Sequence, residues 1–240
     1  MIYNTLPTLF ISLCSLFLLS ENGASISTET KHSFVARHEV SNLDEVEVLY
    51  QDLQLKNKQI PTLESFQQAV DAYTKIKHKG LVQKELLTII DFSLSANTKR
   101  LWVIDMATHE VKFHSLVSHG RNTGEEFATS FSNAAESFKS SLGLYLTAEV
   151  YSGKHGLSLK LDGLEKGVND HARARGIVMH AADYVSESFI KNNQRLGRSQ
   201  GCPAVPSSIS KEIINLIKNK SCFFIYHPSR AVALGGTFVS

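Results

Sequence analysis

The sequence predicts a mainly β domain with short helices, carried behind an N-terminal helical extension, and three observations predict it. From Leu86 to His114, runs rich in Leu, Ile, Val, Phe and Trp are separated by short polar turns, the pattern of paired short strands. Upstream, between residues 43 and 80, the apolar residues recur at helical spacing instead. Downstream, further short β-rich runs lead to Gly197-Arg198-Ser199-Gln200-Gly201-Cys202-Pro203, a small-residue turn presenting a thiol 22 positions after His180.

The elements follow in order. Leu6–Leu19 is an apolar run too short for a comfortable membrane span and followed by small polar residues, so residues 1–24 read as a secretory signal cleaved near Ala24 or Ser25. An uncleaved anchor is the alternative. Cys14 lies inside the run behind Leu13 rather than a small residue, which fits a lipid-modified signal poorly. Residues 25–85 form the tail and extension: a polar stretch to 40, a helix over Leu43–Leu55, and a second helix after Pro61 with Thr62 as its N-cap. In that second helix Phe66, Ala69, Val70 and Tyr73 make one apolar face and Gly80 sits at the C-terminal cap.

Residues 86–240 form the main domain. Leu87–Phe92, Leu101–Asp105 and Val111–His114 predict a β-meander, residues 118–141 a long surface loop of the kind that is often functional, and Gly143–Leu146, Leu157–Leu161 and Gly176–His180 three more strands. A short helix over 183–193 covers the cysteine turn, an amphipathic helix spans Ile209–Lys218, and Cys222–Tyr226 closes the domain as a buried strand.

Composition narrows the function classes. The formal charge is +2, and removing residues 1–24 takes away Glu21 alone, giving +3, too mild for a nucleic-acid partner. Without C-x-x-C or H-x-x-x-H spacing, a structural zinc site using Cys202, Cys222 and two histidines has little support, so no metal and no cofactor are expected. Two cysteines outside the signal make a Cys202–Cys222 disulfide an open alternative in an oxidising compartment. Against it, Cys222 opens an apolar strand, where a free thiol packs as a small hydrophobe.

Cys202 and His180 are the pair with chemistry in it. A free thiol titrates near 8.5, so at neutral pH it needs a partner that takes its proton. An imidazole does this and then returns the proton to a leaving amine. The N–H groups of Gly201 and Cys202 are candidates to face an oxyanion, and Ser199 to fix the turn.

The order His, connecting segment, Ser-x-Gly-Cys resembles the signature of the L,D-transpeptidase (YkuD-like) catalytic domain family. The longer string Gly-Arg-Ser-Gln-Gly-Cys-Pro-Ala resembles a murein L,D-transpeptidase subgroup. The resemblance runs from Leu86 to Pro228, with looser matches at Ser118-His119-Gly120 and Ser140-Ser141-Leu142-Gly143. It implies a β-sandwich or barrel in which Cys202 is acylated, His180 is its base, the Ala181 carbonyl orients the imidazole, and Ser199 and Gly201 shape the oxyanion turn. It also implies peptidoglycan peptide stems as substrates, either transpeptidase or L,D-carboxypeptidase chemistry, and export to a bacterial periplasm or cell envelope without a membrane span once the signal is cleaved. The sequence departs from the family pattern at Ala181, where glycine is usual, at Gln200, where a second histidine is common, and at Ala204, where a polar residue is common.

Arg198, Arg175 and Arg173 are candidates to grip stem carboxylates through paired hydrogen bonds, Arg198 first among them. Tyr184 is a candidate to cover the site. Asn169-Asp170-His171 and Lys154-His155-Gly156 read as surface turns that either serve as plain turns or line the cleft. A sortase-like enzyme with Arg230 as its arginine, and a wall-binding module with no reactive thiol, are the readings from other classes.

Overall fold

Apolar periodicity of two different kinds builds the two layers of this fold. The structure, a computed structural model, describes residues 45–230. The segment expected to be a secretory signal, Cys14 and the expected polar tail lie outside the described residues. Helical residues 45–56 (α1) precede α2, Leu63–His78, whose Thr62 Oγ1 accepts from the Ser65 N–H at 3.3 Å. Gly80, at φ +68°, ends that helix in the left-handed conformation where glycine carries no Cβ penalty.

The strands are β1 (Leu86–Asp91), β2 (Leu101–Asp105), β3 (Glu110–Ser115), β4 (Gly143–Gly153), β5 (Gly156–Gly163), β6 (Val178–Ala181), β7 (Ala204–Val205) and β8 (Cys222–Tyr226), with helices α3 (Glu187–Asn193) and α4 (Ser210–Ile217) between β6 and β8. They form one eight-stranded sheet in the order β3-β2-β1-β8-β4-β5-β6-β7. β1 runs parallel to β8 and β6 parallel to β7, and the other neighbours are antiparallel. The first three strands are the meander read from the sequence.

Alternation sorts the sheet's residues onto two cores. Leu87, Ile89, Trp102, Ile104, Cys222, Phe224 and Tyr226 pack against Phe66, Ala69, Val70 and Tyr73 of α2 and Val46 and Leu53 of α1. On the other face Ile90, Leu101, Val103, Phe223 and Ile225 join Leu159, Met179, Val205 and the α4 stripe Ile213, Ile214 and Ile217. With both faces covered, every residue of β1 and β8 is buried, which is why these strands read as continuous apolar runs.

The sheet nearly closes on itself. The chain leaving β3 runs on along the free edge of β7: the Ser118 N–H donates to Ala204 O at 2.9 Å, Ser199 N–H to His119 O at 2.9 Å, and Arg121 N–H to Ser199 O at 2.8 Å. One segment thus covers the open edge of β7 and clamps the cysteine turn. No described helix is long and apolar enough to cross a membrane.

Candidate active site

Parallel pairing of β6 with β7 aligns His180 with Ala204, so Cys202, two residues ahead of β7, stands beside the start of β6. Both side chains line one cavity of about 480 Å³. His180 is 3 % exposed, and its Nδ1 lies 2.8 Å from Ala181 O. A carbonyl only accepts, so Nδ1 carries the proton and Nε2 is left bare, the form a general base requires. Cys202 Sγ lies at the cavity wall, 3.7 Å from Gly176 O, and that carbonyl rather than His180 is its hydrogen-bond partner.

Burial shifts both groups toward their neutral forms. Burial pushes the Cys202 thiol up, against the opposing pull of the Val178 N–H, Arg175 and Lys154. Burial pulls His180 below the ordinary imidazole value, the Ala181 carbonyl opposes this, and His155 and Lys154 add to the lowering. Both shifts run toward the neutral forms, a thiol and an imidazole.

The turn between them is built by Ser199 and Gly201. Ser199 Oγ donates to Cys202 O at 2.6 Å and accepts from the Gly201 N–H at 3.0 Å. Gly201 adopts φ +119°, and a Cβ there would stand 2.8 Å from Lys139 O, so only glycine fits. The Gly201 N–H is thus spent on Ser199 Oγ within the turn.

Sequence comparison matches residues 56–226 to the model of the L,D-transpeptidase catalytic domain. The chain belongs to the L,D-transpeptidase catalytic domain family. No curated protein matches the sequence. Among solved structures, an L,D-transpeptidase from Mycobacterium smegmatis is 12 % identical over 60 % of this chain and 59 % of that one, with a TM-score of 0.38. An L,D-transpeptidase from Stackebrandtia nassauensis is 13 % identical over 68 % of this chain and 66 % of that one, with a TM-score of 0.36. One from Mycobacterium tuberculosis H37Rv is 11 % identical over 58 % of this chain and 57 % of that one, with a TM-score of 0.34. This chain thus spans about three-fifths of the length of the first of these.

Within this L,D-transpeptidase domain the arginines are more committed than their sequence positions suggest. Arg175 lines the cavity but pins the long loop, donating to Ser132 O at 2.8 Å and Lys139 O at 2.7 Å. Arg198 also lines it while its Nη1 donates to Arg121 O, Gly124 O and Glu125 Oε1 at 3.0, 3.0 and 2.6 Å. Glu125 thus already holds one of the Arg198 nitrogens, Nη1. Arg173 sits outside the cavity in an exposed network with Glu149 and Asp162. Tyr184 lines the cavity with its ring against Gly197, and burial, with Cys202 nearby, pushes its hydroxyl up to about 12.

Lys154 and His155, which the sequence leaves between turn and cleft, line the cavity from the β4–β5 turn, and the His155 ring stacks on His180 with centroids 4.3 Å apart and planes at 20°. Phe138 and Glu136 of the long loop also line it, and no local pattern in the sequence points to them. Asn169 instead buttresses β4, donating to Leu142 O and Leu144 O at 2.9 Å each. His119, in the loosely matched Ser118-His119-Gly120 turn, is fully buried and receives a 2.8 Å hydrogen bond from the buried Arg100 guanidinium.

Both described cysteines are free. Cys202 packs against the core on one face of the sheet and Cys222 belongs to the helix-covered core on the other, so neither a disulfide nor a shared metal joins them. Among the described residues no three His, Cys, Asp or Glu side chains converge to hold a metal. Arg230, the residue a sortase-like reading needs, pairs with Glu165 away from the cavity.

Proposed function

We propose that the chain is a cysteine-dependent peptidoglycan L,D-transpeptidase that works through an acyl-thioester at Cys202. The observation that carries this reading is a thiol and a tautomer-fixed imidazole opening into one cavity, and membership of the L,D-transpeptidase catalytic domain family supports it.

On binding a donor stem the Cys202 side chain turns from Gly176 O toward His180 Nε2. The nitrogen takes the thiol proton as sulfur attacks the carbonyl carbon of the L,D peptide bond, and the carbonyl electron pair moves onto oxygen, facing the Cys202 N–H. Collapse breaks the C–N bond, and His180 returns its proton to the departing amine of the D-residue. An acceptor amine then attacks the thioester, passes its proton through His180 to the sulfur, and leaves a new amide. Lys154 and Arg175 ease the charge that builds on sulfur, since cations favour the thiolate. Water in place of the amine makes the same site an L,D-carboxypeptidase.

Residues 1–24 are taken as an export signal that sends the enzyme to the periplasm or envelope, residues 25–85 as the extension and 86–240 as the catalytic domain. N-terminal sequencing of the exported protein checks the cleavage point. For the activity, purified protein is incubated with muropeptides. Mass spectrometry should find an acyl adduct at Cys202, with the ratio of exchanged to trimmed stems separating amine from water as acceptor. A folded Cys202→Ala protein that still exchanges or trims stems would sink the assignment.

A further inference from the structure

We infer that His155, at the tip of the β4–β5 hairpin, is a positioning residue for His180: its ring holds the plane of the imidazole, keeps water from that face, and when charged opposes proton uptake there. The inference rests on the reading of His180 as the base and adds a second imidazole to that site. The contact is near-parallel, at 4.3 Å and 20°. It is also asymmetric, because His180 is 3 % exposed while His155 is an exposed residue on a turn between Gly153 and Gly156. No apolar core holds His155 where it is. Its ring stands in solvent, yet it covers one face of a group otherwise flanked by β5 and β6, where Ser158 pairs with His180.

Two imidazoles in face contact do not both carry charge without mutual cost, so their protons are coupled. The remaining charged groups sharpen this. Lys154, beside His155 on the same turn, adds a second cation, and Arg175 and Arg198 line the cavity from the loop before β6 and the cysteine turn. Glu136 is the acidic group lining it, while burial pushes the Tyr184 hydroxyl and the Cys202 thiol up, away from their charged forms. A proton on His180 is therefore opposed on most sides, and His155 is the member of that set in direct ring contact with it.

The test follows the His180 ring by NMR across pH in the intact protein and in His155→Ala and His155→Phe variants, with muropeptide acylation of Cys202 measured on the same samples. Removing the ring in His155→Ala lets water reach His180 and removes the opposing charge, so His180 should take up its proton at a higher pH than in the wild type. Acylation by that variant should then fall increasingly behind the wild type as pH drops. His155→Phe keeps the ring cover and discards the charge, so its His180 should titrate between the other two. Identical His180 titrations in all three proteins overturn the inference, and if the wild type still acylates, the functional reading survives that failure. A shifted titration with no acylation of the wild type leaves the stack standing and sinks the functional reading instead.

Discussion

Replacing Ser199 by alanine is the perturbation whose cost follows most directly from the structure. Ser199 is 5 % exposed, and its one oxygen serves two partners, the part-buried Cys202 carbonyl at 2.6 Å and the buried Gly201 N–H at 3.0 Å. Each partner left without its hydrogen bond costs about 1–3 kcal/mol, and water entering from the adjoining cavity pulls the total toward the lower end, about 2–4 kcal/mol for the two. For a domain of this size that lowers the melting temperature by roughly 5–15 °C. The fold survives, because the Ser199 and Arg121 backbone bonds still tie the turn to the segment after β3. Acylation suffers more than stability, since a turn displaced by about 1 Å costs on the order of a hundredfold in rate. The assay pairs thermal unfolding with the rate of acyl-adduct formation at Cys202. A Ser199→Ala protein that melts with the wild type and acylates at the wild-type rate would refute the claim that this hydroxyl shapes the turn.

Three further outcomes are expected. Gly201→Ala meets both a φ of +119° and the Lys139 carbonyl, so it should destabilise by about 1–3 kcal/mol from backbone strain alone and lose acylation, whereas Gly156→Ala, whose Cβ meets nothing within 4 Å, should show the strain without the clash; paired melting curves decide. Burial first, then the neighbouring Arg100 charge, holds His119 down to about 4, so it stays neutral in the fold while the unfolded chain takes up a proton below about 6.5. Its contribution is complete above that pH and lost as pH falls toward 4, by at most about 3 kcal/mol, and urea unfolding should show this slope flattened in His119→Asn. Peptide mapping after alkylation of the native protein should find label on Cys202 and none on Cys222, whose thiol is fully buried in the helix-side core and pushed far up by that burial; label on both under native conditions would contradict the two-faced core.

Much of the fold is legible because its elements carry their own period. The face of Phe66, Ala69, Val70 and Tyr73 with Thr62 and Gly80 at its ends makes α2 readable from local residues alone, and all four are buried where that face predicts. The apolar runs of β1, β2 and β8 are equally plain. β7 escapes notice because two residues hold no period, and its existence depends on β6 and on Ser118 arriving beside it. β4 runs to Gly153, well past its apolar start, because pairing with β5 rather than hydrophobicity sustains it across a bulge.

The site divides in the same way. The Ser-x-Gly-Cys turn and the upstream histidine are visible because a thiol in a tight turn demands small residues next to it in the chain. The partners of Arg175 and Arg198 and the stack of His155 on His180 join residues 25 to 77 positions apart, so no local pattern encodes them. The sequence by itself determined which atoms are nucleophile and base candidates and which strands can form. The tertiary structure alone decided that the Gly201 N–H serves the turn, that the two cysteines face opposite cores, and that a hairpin tip covers the imidazole. The physical reason is that propensity and periodicity act between chain neighbours, whereas hydrogen-bond partners, burial and the field at a titrating group are set by whatever the closed sheet brings alongside.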